Sequence, residues 1–337
     1  MAETMRAAVL KSQGTPLEIE EVEIPKPGPK EVLLKVLACG VCRTDLHIVD
    51  GDLKEPKLPL ILGHQIVGRV VDVGEGVTLL KKGDRVGVPW LGEACGSCAY
   101  CREGKENLCD LTRYTGYQLN GGFAEYCVAR AAYTFPIPAQ FSDTQAAPLL
   151  CAGLIGFRAL RMTQKAQKIG FYGFGSSAHI LTQVVKFQGG EVYAFTRPED
   201  IEKQEFAKKL GAVWAGSSEE APPRPLDAAI LFAPIGDLVP TALKAVRKGG
   251  VVVCAGIHMS DIPSFPYSLI WEERVLRSVA NLTRKDGEDF LPLAAKIPIQ
   301  SEVQSYALDQ VNQALSDLRV GNFSGSAVII LEEEKHV

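Results

Sequence analysis

The sequence predicts an α/β protein of two domains, a mainly β domain that the chain leaves and re-enters around a doubly wound parallel-sheet domain. Three observations carry this expectation. The 337 residues exceed what a single hydrophobic core usually serves. The first ~150 residues are rich in Gly and Pro with short Val/Leu/Ile runs, the signature of strands between turns. From about Gly153 short buried runs alternate with amphipathic stretches, and after roughly Asp286 the pattern becomes mixed again.

Taken in order, Met1 to Arg6 carries an acid early and leads into a strand-like Ala7–Leu10, with no long apolar stretch or small-residue cleavage site, so secretion is not expected. Val32–Leu37, Ile66–Val73 and Val86–Val88 read as strands of the first domain. In the middle of the chain come a strand at Ile169–Tyr172, a helix at Ala178–Phe187, a strand at Val192–Phe195 and a helix ending near Leu210. A strand at Ala228–Phe232, a helix around Thr241–Val246 and a strand at Val251–Ala255 follow. That alternation means βαβ units and a parallel sheet. Val303, Tyr306, Leu308 and Ala327–Ile330 are strand candidates that should rejoin the first domain, giving the division 1–152 with 287–337 and 153–286. The Pro-rich Ala221–Pro225 and the charged end Glu332–Lys335 should be solvated surface. There is no internal repeat.

Composition excludes several functions. No apolar run approaches the ~20 residues that span a bilayer, so no membrane partner is expected. A net charge of -4 supplies no broad positive field for phosphate backbones, so nucleic acid is a poor partner. The nine cysteines are odd in number, and four of them fall within fifteen residues, which in a cytoplasmic protein points to metal ligation rather than a disulfide framework. Cys39, Cys127 and Cys254 read as packing thiols.

Cys95, Cys98, Cys101 and Cys109 form C-x2-C-x2-C-x7-C, with Gly92, Gly96 and Gly104 for the turns. One tight loop can then bring four thiolates around a tetrahedral ion. Four sulfurs fill the shell, so the expectation is a structural zinc that holds a loop; free thiols or an iron–sulfur cluster are the alternatives.

Gly173, Gly175 and Ala178 form G-x-G-x-x-A directly after an apolar strand and at the mouth of an amphipathic helix, with Ser176 opening that helix. Gly173 permits the tight turn, Gly175 lets the backbone approach a pyrophosphate, and Ala178 lets helix meet strand closely, which is the Rossmann dinucleotide fingerprint. An NAD-specific site would place Asp or Glu at the end of the second strand. The chain instead has Thr196 and Arg197, a hydroxyl and a guanidinium suited to a 2′-phosphate, so NADP(H) is the expected cofactor. The competing reading is that Arg197 merely points to water.

Cys42, in Gly40–His47, and His64, in Leu62–Gly68, are each a weak metal signal alone, because a lone buried Cys or His is more often packed or hydrogen-bonded. Together with the four-cysteine loop, Pro148–Gly153 and the dinucleotide turn, these segments resemble the zinc-containing alcohol dehydrogenases of the medium-chain dehydrogenase/reductase superfamily. The most similar branch is the cinnamyl-alcohol-dehydrogenase-like one, and the likeness runs through essentially the whole chain.

The resemblance implies a GroES-like catalytic domain and a Rossmann domain, with substrate in the cleft between them. It implies that Cys42, His64 and Cys151 hold a catalytic zinc with the fourth place open, so that two zinc ions bind per chain. Three ligands and an open position make a Lewis acid for a substrate oxygen. Thr44 and His47, three residues apart on one helix face, resemble a proton relay; otherwise Thr44 caps the helix and His47 is a surface residue. Asp45 would support His64. Trp90 would wall the substrate pocket, unless it is a core residue. Gln65 departs from the Glu that most relatives carry after the ligand His, which puts that carboxylate's assistance in doubt.

The implied reaction is reversible hydride transfer between NADP(H) and a primary alcohol or aldehyde, in a homo-dimer or homo-tetramer. The rivals are a non-catalytic NADP(H)- or zinc-binding protein and a polyol dehydrogenase. Relatives of the polyol type typically have an acid where Cys151 stands.

Overall fold

The computed structural model describes residues 3–331; Met1, Ala2 and the charged end Glu332–Lys335 lie outside the described residues. The chain forms two compact units, one from residues up to Cys151 with Leu282–Ala295 and the chain from Ser301, the other from Ala152–Asn281 with Lys296–Gln300.

In the first unit a three-stranded sheet runs Glu18–Glu23, Thr4–Leu10, Leu60–Ile61. A seven-stranded sheet runs Phe135–Pro136, Arg85–Val88, Gln65–Val73, Glu31–Val41, Ser326–Ile330, Val303–Ala307, with Tyr126–Arg130 also paired to Glu31–Val41. Glu31–Val41 is the spine of this sheet. Val32, Leu34 and Val36 alternate into the core at no more than 1% exposure, and from Val36 onward every residue is buried. The same core takes in Ala327 and Ile329, so the tail rejoins the first unit.

Two opposite register shifts, at Leu33/Leu34 and at Val36/Ala38, cancel, so Gly40 faces Gln65 in the same register that pairs Val32 with Val73. The spine therefore delivers Cys42 beside the start of the strand that follows His64. Gly40 lets the Gln65 side chain lie against the spine, since a Cβ there would stand 2.9 Å from Gln65 Cδ and force that side chain to move. Gly63 turns the chain at φ +92 immediately before His64.

In the second unit six parallel strands lie in the order Trp214–Ser217, Glu191–Thr196, Lys168–Tyr172, Leu226–Leu231, Val246–Cys254, Val275–Ser278. Helices Ser176–Phe187, Ile201–Leu210 and Leu238–Ala245 lie between the strands in sequence. The order reverses between Lys168–Tyr172 and Leu226–Leu231, the switch point at which such sheets bind ligands at the strands' carboxyl ends. The architecture is thus a GroES-like mainly-β domain plus a Rossmann parallel-sheet domain.

Several elements differ from the sequence reading. The helix expected at Thr241–Val246 is Leu238–Ala245, because Pro240 is tolerated in a first turn and Val246 already belongs to a strand. Leu308 starts a 3-10 turn rather than sitting in a strand. The return to the first unit comes at Leu282 instead of residue 287. Its cause is visible: buried Glu106 accepts the Arg284 backbone N–H at 2.8 Å and its guanidinium at 3.2 Å, and Gly287 packs on the Phe135 ring. Ala221–Pro225 is largely exposed, as a solvated loop should be.

Candidate metal centre and cofactor turn

Cys42, His64 and Cys151 reach one point from three elements. Cys42 ends the Glu31–Val41 strand and is the N-cap of the helix Arg43–Asp50, His64 follows the Gly63 turn, and Cys151 follows the 3-10 turn Ala147–Leu150. That turn packs on the sheet, with Leu150 lying over Gly87. One ligand atom from each residue lies within 4.8 Å of the others, and the two Sγ atoms are 3.8 Å apart. Two sulfurs bound at ~2.3 Å to a tetrahedral zinc would be separated by about 3.8 Å. His64 is fully buried, yet neither ring nitrogen has a hydrogen-bond partner. A buried imidazole with no well-formed hydrogen bond, set between two thiols and a carboxylate, is a donor set that suits zinc.

Charges at the site favour the thiolate of Cys42 but leave protons on Cys151 and His64, which zinc would displace on binding. A hydrogen bond from Cys151 holds the Cys42 thiol well below its ordinary range against the opposing effect of burial, with further help from His64. Bonding to Cys42 and burial keep the proton on Cys151 instead, so without a metal only one of the two thiols ionises readily. For His64, burial favours the neutral ring, but the Asp45 carboxylate and Cys42 outweigh it and raise the pKa to about 10. Asp45 is completely buried; its Oδ1 lies 3.4 Å from His64 Nδ1 and accepts the Gly63 N–H at 3.3 Å, and its Oδ2 accepts the Cys42 N–H at 2.8 Å. Asp45 thus ties two of the three converging segments together.

Trp90 is 7% exposed and meets the His64 ring edge-on at 4.8 Å. Tyr114 and Tyr117 stack on it at 5.0 and 5.8 Å. Gln65 is buried against Gly40.

The helix-cap alternative for Thr44 is corrected: Cys42 occupies the N-cap and Thr44 lies inside the first turn. Its Oγ1 is 3.6 Å from Cys42 Sγ. His47 is partly buried rather than a free surface residue, and its Nδ1 is 2.8 Å from Asp52 Oδ2.

The four-cysteine loop is closed by the antiparallel pair Leu91–Glu93 and Arg113–Tyr114. Gly96 and Gly104 take positive φ in its turns. The four sulfurs lie within 4.8 Å of one another, with Cys95 and Cys101 3.9 Å apart. Backbone N–H groups of Ser97, Cys98 and Leu111 point at sulfur at 3.3 to 3.4 Å. The Ser97 amide, followed by that of Cys98, lowers the Cys95 pKa to about 6, the direction ligation requires. Cys101 is pushed up to about 12 by desolvation, so the four thiols do not all ionise unaided.

In the second unit Gly173 sits at φ +91 with its N–H bonded to Phe195 O at 2.8 Å, which seats the glycine turn against the end of the Glu191–Thr196 strand. Gly175 is the N-cap of Ser176–Phe187, has open space around its Cα, and leaves the first turn without a side-chain cap. Ala178 is fully buried. The Thr196 hydroxyl donates to Arg197 O at 3.0 Å and accepts from buried Gln204 at 3.0 Å. Arg197 is an exposed side chain that forks onto Asp200, Nε–Oδ2 3.2 Å and Nη2–Oδ1 3.0 Å.

Residues 28–139 match the alcohol dehydrogenase GroES-like domain family. The chain is 46% identical to a probable alcohol dehydrogenase of Mycobacterium tuberculosis over 94% of its own length and 93% of that protein. Its fold superposes on a cinnamyl alcohol dehydrogenase of Sorghum bicolor with a TM-score of 0.90 at 25% identity, covering 99% of both chains. The cobalt- and zinc-bound thermostable alcohol dehydrogenase of Pyrobaculum aerophilum gives 0.88 at 28% identity, over 97% of this chain and 100% of that one. The chain belongs to the zinc-type medium-chain alcohol dehydrogenases. It is an oxidoreductase, and no helix among its described residues is long and apolar enough to cross a membrane.

In this alcohol dehydrogenase several neighbours of the site were not singled out from sequence. Tyr114 and Tyr117 were signalled only by an aromatic pair just after the cysteine loop. Asp200 was missed because an acid was sought at the strand end, four residues earlier. His179, fully buried beside Gly175, has neither ring nitrogen hydrogen-bonded. Cys39, Cys127 and Cys254 are buried, and burial pushes the Cys127 thiol up to about 12.

Proposed function

We propose that this alcohol dehydrogenase is zinc-dependent, prefers NADP(H), and interconverts primary alcohols and aldehydes, aliphatic or aromatic. In this reading residues up to 151 with the returning tail form the catalytic domain, and 152–281 bind the dinucleotide. The observation that carries the reading is the convergence of Cys42, His64 and Cys151, a three-donor set whose imidazole is buried and has no other hydrogen-bond partner.

A zinc ion held by those three residues supplies Lewis acidity to a substrate oxygen. The protein's own part is positioning and proton handling. Asp45 fixes the orientation of His64 and the Cys42 backbone. Trp90, backed by the two tyrosines, presents an apolar face beside His64 that keeps water from the reacting carbon. Thr44 Oγ1, next to Cys42 Sγ, holds the proton that leaves the substrate hydroxyl, and His47, anchored at Nδ1 by Asp52, receives it on the way to solvent. The N-terminus of Ser176–Phe187 with Gly175 would hold the pyrophosphate, and Arg197 would take the 2′-phosphate, while the Thr196 hydroxyl stays bonded to Arg197 O and Gln204. Cys95, Cys98, Cys101 and Cys109 hold a second zinc that maintains the loop.

Zinc content per chain, measured with NADPH-dependent reduction of a panel of aldehydes before and after chelation, tests the reading. About two zinc ions, as the two donor sets require, and turnover lost on chelation are expected. One zinc with no turnover would overturn it.

A further inference from the structure

We propose that Asp200 competes with the 2′-phosphate of NADP(H) for the Arg197 guanidinium and thereby limits how strongly this alcohol dehydrogenase prefers NADP(H) over NAD(H). The inference rests on the reading of Arg197 as the 2′-phosphate ligand.

Three observations carry it. Arg197 lies two residues beyond Phe195, whose carbonyl accepts the Gly173 N–H, so the guanidinium belongs to the rim of the dinucleotide turn. Its fork is already closed on a carboxylate: Nε and Nη2 each meet one Asp200 oxygen, and Glu199 Oε1 stands 3.5 Å from Nε. The planar Nε/Nη2 edge that fits a carboxylate also fits a phosphate, so the two acceptors compete for that edge. Asp200 also draws Lys203, whose Nζ is 3.4 Å from Oδ2, toward the same carboxylate.

Arg197 is exposed, so a bound phosphate can displace the carboxylate at modest cost, and NADP(H) still binds. An incoming 2′-phosphate must break the pair and then sit beside a displaced anion. A 2′-hydroxyl meets neither obstacle, so NAD(H) is unaffected. The contrast between the two cofactors is therefore smaller than Arg197 alone would make it.

The experiment titrates 2′,5′-ADP, 5′-AMP, NADPH and NADH calorimetrically into the full chain and into Asp200→Asn, Arg197→Gln and the double variant. Asn is a favoured N-cap, and the Asp200 side chain makes no cap hydrogen bond to the helix Ile201–Leu210, so the fold is retained; Asp200→Ser serves as the second variant. Asp200→Asn should tighten 2′,5′-ADP and NADPH about three- to fivefold, the size an exposed ion pair allows, and leave 5′-AMP and NADH unchanged. The gain should vanish in the Arg197→Gln background.

Unchanged 2′,5′-ADP affinity in Asp200→Asn overturns the proposal. So does equal tightening of all four ligands, weakened NADH binding, which would make Asp200 a ribose ligand, or a gain that survives Arg197→Gln, which would assign the effect to Lys203. If Arg197→Gln binds 2′,5′-ADP as the parent does, it is the NADP(H) reading that fails. If Arg197→Gln weakens 2′,5′-ADP but Asp200→Asn does not strengthen it, only the competition fails.

Discussion

Asp45 Oδ1 stands 3.4 Å from His64 Nδ1, both side chains are completely buried, and the other carboxylate oxygen takes the Cys42 N–H at 2.8 Å. One carboxylate thus orients one donor side chain of the three-residue site and the backbone of another. It also places a fixed negative charge beside the imidazole, so that the ring's other nitrogen is the basic one offered to a metal.

Asp45→Asn should therefore weaken zinc at Cys42, His64 and Cys151 about 10- to 100-fold while leaving the four-cysteine loop loaded. Competition with a chelator, followed by metal analysis, reads this as one zinc lost early and one retained. Equal retention of both ions in parent and variant would remove Asp45 from the site.

Gln65 is a second point of leverage. It follows His64 directly, is buried against Gly40, and is neutral where most relatives are expected to be acidic. Gln65→Glu adds an anion close to a cationic metal, which should tighten zinc and change turnover. Without zinc the same carboxylate is buried charge, so the metal-free variant should melt below the metal-free parent. Identical kinetics, zinc content and metal-free Tm in the two proteins would show that the position is electrostatically silent.

How much of this was legible beforehand depended on how local each signal is. The four-cysteine loop and the glycine turn were readable because all their residues lie within about one turn or loop of each other, where spacing stands in for distance. The convergence of Cys42 with His64 is not of that kind. It depends on the strand pairing that sets Gly40 opposite Gln65, and no spacing rule reports a pairing register. The resemblance to a family, not the local pattern, pointed to Cys151. The capture of Arg284 by Glu106 joins residues 178 apart, so the inter-unit boundary near it was misplaced by five residues. Trp214–Ser217 and Val275–Ser278 are four-residue strands, too short for alternation to stand out.

The cysteine loop makes a prediction about stability rather than chemistry. The antiparallel pair at its base is short, and the amides of Ser97, Cys98 and Leu111 already point at sulfur, so metal is the principal clamp across residues 95–109. Cys98→Ser should lower Tm by about 5–10 °C, on the scale of ~2–4 °C per kcal/mol, and leave one zinc per chain. Limited proteolysis should then cut within the loop. Two zinc ions and an unchanged Tm would mean that hydrogen bonds alone hold it.

His179 makes the final prediction, on pH. The ring is fully buried on the helix that opens the dinucleotide turn, neither nitrogen makes a well-aligned hydrogen bond, and desolvation lowers its pKa to about 4 against the weaker opposing effect of the nearby Ser176 and Gly175 backbone. In the unfolded chain the same ring titrates near 6.5. Between those two values the unfolded chain binds a proton that the folded chain refuses, so the stability this neutral ring contributes is intact above about pH 6.5 and lost progressively as pH falls toward 4. The full loss would be about 3 kcal/mol, most of it below pH 6. Urea unfolding of parent and His179→Gln at steps from about pH 7.5 down to 5 isolates this contribution, because other titrating groups are common to both proteins. The parent should lose stability more steeply than the variant over that window. Parallel curves would mean that the ring takes up its proton inside the fold, by shifting toward a partner it does not have in this structure.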